Sequence, residues 1–458
     1  MDRIGRTSFQ LRAPRLTGDA DDGGPAVRLT GRLLVTTKIR RRKDTGALIA
    51  ESLQAAGGEL SNTIGVAVTH SSDYRDDAPG LEAAVEAVGG NTAVMFDNLG
   101  VAVMDSHEDW QERLSVAASV TGSIVLAAEP ERFVWAITDY VQGYRDGVDS
   151  FASALRSSLP AGRQPAAAAL PPERFSDDAQ FTWGLRALGA DVSVGDGAGS
   201  RVAVLDTGVD SSHPDIAPAL AGQESFVAGE SPHDGHGHGT HCSGTVAGRA
   251  NPIGVPRFGV APGASLFAGK VLNNADGEGT DSSILAGIDW AINNDCHVIS
   301  MSLGGEVPPE TPHSPTFEAV ARNALDAGAV IVAAAGNGSS RPGTVAPISH
   351  PANCPSIIAV GALDRILDPA EFSNAGRVGQ DHIAISAPGV DVLSSIPGGG
   401  HAFSDGTSMA TPHVAGVLAI LQSKEQVRGV ALIGRLMLEA QGLLAPAVDV
   451  GGLAHIPA

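Results

Sequence analysis

Three polar side chains in this sequence could do chemistry together. Ser408 follows Asp405-Gly406-Thr407 and opens an apolar stretch that includes Val414, Val417, Leu418, Ile420 and Leu421. A hydroxyl at such a helix start lies at the positive end of the helix dipole, a favourable place from which to attack a carbonyl. His238 lies in Asp234-Gly235-His236-Gly237-His238-Gly239-Thr240-His241-Cys242, too dense in glycine for an ordinary amphipathic helix and open to close approach by other backbone. Asp206 ends the run Val202-Ala203-Val204-Leu205 and precedes Thr207-Gly208. Singly, a serine at a helix start is most often a cap and an aspartate after a strand a turn residue. Jointly they supply a hydroxyl nucleophile, an imidazole to take its proton, and a carboxylate to fix the imidazole tautomer, which is what acyl transfer requires.

The histidine-rich segment also admits a second chemistry. Asp234, His236, His238 and His241 have the His-x-His and His-x-x-His spacings that sometimes hold zinc. A zinc hydrolase built on them leaves Asp206 and Ser408 without a role.

These residues need a rigid frame, and the chain has the length for one. At 458 residues it is long enough for two domains plus linkers. Apolar runs separated by 10 to 15 helical residues predict a parallel α/β sheet after Trp183, with strands at Val202 to Leu205, Ser265 to Val271, Val298 to Ser302, Val330 to Ala335 and Ile357 to Gly361. In such a sheet the site forms at strand ends. The preceding part reads as a small α+β unit. Strands are expected at Leu33 to Thr37, Ile64 to Val68 and Ile124 to Ala128, with a hairpin from Thr92 to Phe96 and Gly100 to Met104. Helices are expected at Ala47 to Ala56, Leu81 to Val88 and Trp110 to Ala118. The Ala/Pro-rich stretch Pro160 to Pro172 marks a linker, with one helix near Val148 to Ser157.

Composition removes several partners. A net charge of −21 argues against nucleic acid and anionic lipid, both of which need clustered Lys and Arg. The start of the sequence shows no secretory-signal pattern and no segment approaches ~18 uninterrupted apolar residues, so the expected location is cytoplasmic. Three cysteines, an odd number in a long chain, do not make a disulfide framework, though one bridge stays open.

With the motifs taken in order, the chain resembles the subtilisin family (subtilases) of serine endopeptidases. The resemblance rests on Val204-Leu205-Asp206-Thr207-Gly208, His238-Gly239-Thr240-His241 and Gly406-Thr407-Ser408-Met409-Ala410-Thr411-Pro412-His413, and it spans roughly residues 182 to 425. Between them, Val298 to Gly305 is similar to the substrate-binding strand and Ala333-Ala334-Ala335-Gly336-Asn337 to the oxyanion segment. The resemblance implies a three-layer α/β fold with a mostly parallel central sheet, preceded by a ferredoxin-like α+β prodomain. It implies a triad of Asp206, His238 and Ser408, with Asn337 donating to the oxyanion, and makes His241 and His413 structural. Substrate is implied to lie as an extended strand between Gly277-Glu278-Gly279 and Ser302-Leu303-Gly304, with Glu278 favouring basic residues upstream of the scissile bond. No cofactor is needed for chemistry. A structural calcium is implied at Asp215, Asn251, Ile253 and Val255, although an extra Pro256-Arg257 departs from the family loop.

The implied organisation is a loose segment over 1–29, a propeptide-like inhibitory unit over 30–135, a linker over 136–178, a peptidase domain over 179–445 and a tail over 446–458. The chain's own N-terminal unit is then an intramolecular inhibitor, with no processing site legible. A protease fold used only for binding is the competing class, and the intact triad speaks against it.

Overall fold

Short runs of β-branched and apolar residues with no polar alternation must be covered on both faces, as only the interior strands of a helix-flanked parallel sheet are. Such runs supply the interior of a seven-stranded sheet paired in the order β14-β13-β12-β10-β6-β8-β7, every pairing parallel, with the polar, half-exposed β7 at one edge. The strands are β6 (Arg201–Asp206), β7 (Leu220–Ser225), β8 (Ser265–Lys270), β10 (Val298–Met301), β12 (Val330–Ala334), β13 (Ile358–Leu363) and β14 (Ile385–Pro388). The chain builds outward from β6 to one side through β8 and to the other through β10, so the strand order reverses there. A crevice at the carboxyl ends of β6, β10 and β12 is the expected result. The structure is a computed structural model that describes residues 27–38, 67–74, 78–88, 92–105, 114, 118, 125–137, 175–377, 381–440 and 451–457.

Two apolar clusters cover the sheet, one on each face. The first contains the helix Thr407–Glu425, buried continuously from Thr407 to Gln422, and residues of the helix His238–Ala247; the second contains residues of the helices Asp281–Asn293 and Pro315–Asp326. That gives the three layers. No helix among the described residues is long and apolar enough to cross a membrane, and all three cysteines are free and buried.

The N-terminal unit is a second sheet in the order β5-β1-β4-β3-β2, formed by β1 (Leu29–Thr37), β2 (Ala67–His70), β3 (Thr92–Phe96), β4 (Val101–Asp105) and β5 (Val125–Ala136). Strands β1, β3, β4 and β5 pair antiparallel, and β2 lies parallel to β3 at the edge. The helix Ala78–Glu86 begins before the expected Leu81. Expected helices over 47–56 and 148–157, and all of 110–118 except 114 and 118, fall outside the described residues, as do 64–66 of the expected strand.

The largest difference from the sequence reading is β5. It was expected to stop at Ala128, because Glu129-Pro130-Glu131-Arg132 breaks the apolar run, yet it continues to Ala136. Its second half is held by long-range pairing to β9 (Glu278–Thr280) and β11 (Leu303–Gly304), to which a local apolar pattern is blind.

Candidate active site

Asp206 is the last residue of β6 and is fully buried. Its Oδ1 accepts the N–H of Thr207 at 2.7 Å and the Nδ1–H of His238 at 2.7 Å. His238 is the first residue of its helix, which is buried at every position and so is not the ordinary amphipathic helix that its glycines argued against. Two local devices start that helix. Gly237 adopts φ 103°, a conformation that a side chain disfavours. Buried Asp234 accepts from His236 N and Gly237 N through Oδ1, and from Thr240 N and Thr240 Oγ1 through Oδ2. Asp234 also accepts Thr207 Oγ1 at 2.9 Å, while Thr207 Oγ1 accepts the N–H of Gly239 at 2.9 Å, so one carboxylate ties the turn after Asp206 to the helix bearing His238.

Ser408 is the second residue of the helix Thr407–Glu425, where backbone N–H groups lack intrahelical acceptors. Its hydroxyl donates to the carbonyl oxygen of Ile137 and lies 3.1 Å from Ser302 O. Asn337, just beyond β12, is oriented by Thr407, whose N–H and Oγ1 donate to Asn337 Oδ1 at 3.0 and 2.9 Å. That fixes the amide so that Nδ2 faces the same Ile137 oxygen, at 3.4 Å. One carbonyl oxygen therefore receives both the nucleophile and the amide donor. His238 Nε2 and Asp206 Oδ2 have no partner in this arrangement.

The carbonyl belongs to the end of the N-terminal unit. Strand β5 runs antiparallel to both β9 and β11, with Val134 opposite Gly279, Trp135 opposite Glu278 and Gly304, and Ala136 opposite Leu303. Ala136 N donates to Gly277 O at 2.9 Å and Ile137 N to Ser302 O at 3.2 Å. The segments Gly277-Glu278-Gly279 and Ser302-Leu303-Gly304 thus flank one extended strand. Glu278, expected to favour basic residues upstream of the scissile bond, lies opposite Trp135 and pairs with Arg28 at 2.7 Å, whose guanidinium stacks over Phe133 and Trp135.

Two acidic residues of β5 anchor this arrangement at helix N-termini, where the dipole favours negative charge. Glu131 accepts Ser282 N at 2.9 Å, and Glu129 accepts Thr316 N at 2.9 Å and the Ser314 hydroxyl. Arg132 N donates to Asp281 at 2.9 Å. Sequence reasoning missed Ile137, Thr407 and the structural part of Asp234. The apolar run Phe133-Val134-Trp135-Ala136-Ile137 was the available signal for the first.

Burial alone would depress the His238 imidazole, but the Asp206 charge and its hydrogen bond overcome this and hold it well above its usual value. The thiol of Cys242, 3.9 Å from His238 Nδ1, is pushed up by burial and stays neutral, so it adds little. His241 and His413 are pushed down to about 4 by burial and bond to the carbonyls of Val392 and Met409 at 3.1 and 2.8 Å.

The zinc set does not assemble. Asp234 is saturated with backbone and hydroxyl donors, His241 Nε2 faces carbonyls, and the four residues do not converge their ligand atoms, unlike Asp206, His238 and Cys242. The calcium set fits poorly as well. The Asp215 carboxylate is taken by His401 Nε2 at 2.7 Å with Arg249 at 3.8 Å, while Asn251 and Ile253 are exposed. A cation there must displace the chain's own basic groups.

The comparisons agree with the geometry. The model of the subtilase family matches residues 197–441. Subtilisin E of Bacillus subtilis (strain 168) is 46% identical over 230 residues, a match spanning 50% of this chain and 56% of that protein. The subtilisin of Bacillus pumilus is 46% identical over 230 residues, 50% of this chain and 78% of its own length. The thermostable alkaline protease of Halalkalibacterium halodurans is 44% identical over 266 residues, covering 57% and 67%. The chain thus spans little more than half the length of the Bacillus subtilis relative. With Asp206, His238, Asn337 and Ser408 gathered at one crevice of a parallel sheet, and a family match over more than half its length, the chain belongs to the subtilase family.

Proposed function

We propose that the chain is a serine endopeptidase that hydrolyses peptide bonds through an acyl-enzyme and carries its own N-terminal unit as an inhibitor. The observation that supports this most is the Ile137 carbonyl oxygen, met by Ser408 Oγ and by Asn337 Nδ2. Ser408 Oγ attacks the carbonyl carbon of the scissile bond while His238 Nε2 takes its proton. Asp206 retains the Nδ1–H and stabilises the imidazolium. Charge on the former carbonyl oxygen is received by Asn337 Nδ2 and the Ser408 N–H, groups already fixed before reaction. His238 then gives the proton to the leaving amine, and water repeats the sequence on the ester. No cofactor enters these steps.

Substrate binds as an added strand, backbone to backbone, between Gly277–Gly279 and Ser302–Gly304. In the full chain, β5 fills that place, and the bond after Ile137 is the one presented to Ser408. The inhibitory unit therefore ends at Ile137, two residues beyond the boundary read from sequence. After cleavage, Glu129 and Glu131 at the two helix N-termini keep the strand seated. A fluorophosphonate probe tests the chemistry. Wild type freed of its cut N-terminal unit is labelled and Ser408→Ala is not; hydrolysis that survives Ser408→Ala, or a freed wild type that stays unlabelled, removes the reading and leaves a protease fold used for binding.

A further inference from the structure

His236 is 8% exposed, and neither of its ring nitrogens has a partner. The other six buried histidines among the described residues, 213, 238, 241, 297, 350 and 413, each bond through at least one ring nitrogen. An unpaired buried polar group is costly and calls for an explanation. Its position supplies one. A Cβ placed on Gly277 would meet Ala136 Cβ at 3.1 Å and His236 Nε2 at 3.2 Å, so the Ala136 methyl and the imidazole approach one small space over the Gly277 backbone. Gly277 O also receives the Ala136 N–H, and Ala136 immediately precedes the residue whose carbonyl meets Ser408. A methyl group offers the imidazole nothing.

We infer that His236 selects the substrate residue immediately upstream of the scissile one, favouring a short uncharged hydrogen-bonding side chain (Asn, Ser or Thr) over an aliphatic one. The inference rests on the peptidase reading above. The charged and titratable groups around the ring are His238, Asp234, Asp206 and Lys270; burial, with His238 next, pushes the imidazole below its usual value. A neutral imidazole offers one N–H and one lone pair. An amide or hydroxyl can pair with whichever of these faces the cleft. A carboxylate can only accept, and it would add negative charge beside Asp206 and Asp234.

The test uses the full chain after it has divided itself and released its N-terminal unit, with active sites counted by the fluorophosphonate, and peptides Phe-Val-Trp-X-Ile followed by a reporter amine, where X is Ala, Val, Ser or Asn. Wild type should show kcat/KM for Asn roughly tenfold above Val, the size of one hydrogen bond otherwise left unmade. In His236→Phe the Asn:Val ratio should fall to about one, and in His236→Gln, which keeps a donor and an acceptor, part of it should remain. The ratio is internal to each enzyme, so folded fraction and overall activity cancel. Equal use of Asn and Val by wild type, or an unchanged ratio in His236→Phe, overturns the inference while leaving the peptidase reading intact. A wild type that neither takes the probe nor cleaves any peptide overturns both.

Discussion

The catalytic crevice and the strand lying in it are built on different principles. Each part of the crevice is fixed by groups of the peptidase sheet and its helices: Asp206 by Thr207, His238 by Asp234 and Gly237, and Asn337 by Thr407 at the start of the helix Thr407–Glu425. The second half of β5 has little support from its own unit, since apart from the Phe133 N–H to Arg28 O bond its pairing runs to β9, β11 and Gly277, more than a hundred residues away in sequence. The crevice is therefore expected to keep its form when the strand leaves, whereas the end of the strand is defined by the crevice.

That contrast can be broken or sharpened by substitution, and the largest effect is expected inside the crevice. Asp206→Asn should lower kcat by about 10⁴, as in enzymes with the same triad. The pH profile gives the sign. His238 acts as base only when neutral, and Asp206 holds it well above its usual value, so wild-type kcat/KM should rise with pH through that raised value. In Asp206→Asn the midpoint should move to lower pH, and an unmoved midpoint would mean that Asp206 does not set the base. Asn337→Ala should cost about 10² to 10³ in kcat with little change in KM, the loss seen when such a donor is removed from a subtilisin itself. A pure KM effect would show that Asn337 binds substrate and does not stabilise the oxyanion.

Outside the crevice the effects should be smaller and fall on inhibition. Glu131→Gln removes the charge at the helix Asp281–Asn293 and at Arg32, which lies 2.7 Å away, so the separated N-terminal unit should inhibit roughly tenfold less tightly, a loss of about 1.5 kcal/mol. Turnover on peptides should not change, and a fall in kcat would mean that the unit also shapes the site. Smallest of all is the effect of metal removal. Because His401 and Arg249 occupy the Asp215 carboxylate, a chelator should leave the melting temperature where it is, and a calcium-dependent rise would show that the loop at Asn251 rearranges to bind the ion.

The same contrast explains what could be read from sequence. Asp206, His238 and Ser408 were legible because their residue types and short flanking motifs point to one chemistry, Asn337 only through the family resemblance, and the parallel strands because burial on both faces leaves a continuous apolar run. The helix start at His238 was not, since what stabilises it is the Asp234 carboxylate and a left-handed Gly237, neither of which has a periodic signature. The extent of β5 was hidden because Glu129, Pro130 and Glu131 look like a strand end until their helix partners are known. Asp215 was implied as a calcium ligand by the family resemblance, and its pairing with His401, 186 residues away, has no local signature. His236 looked like a zinc ligand because histidine spacing alone says nothing about which cleft a ring faces.

The most direct test is the intact mass of wild type beside Ser408→Ala after identical expression. Wild type should separate into two fragments divided between Ile137 and Thr138, and Ser408→Ala should remain one full-length chain. The same division in Ser408→Ala, or a wild type cut elsewhere while Ile137–Thr138 stays whole, would contradict the assignment of Ile137 as the residue presented to Ser408.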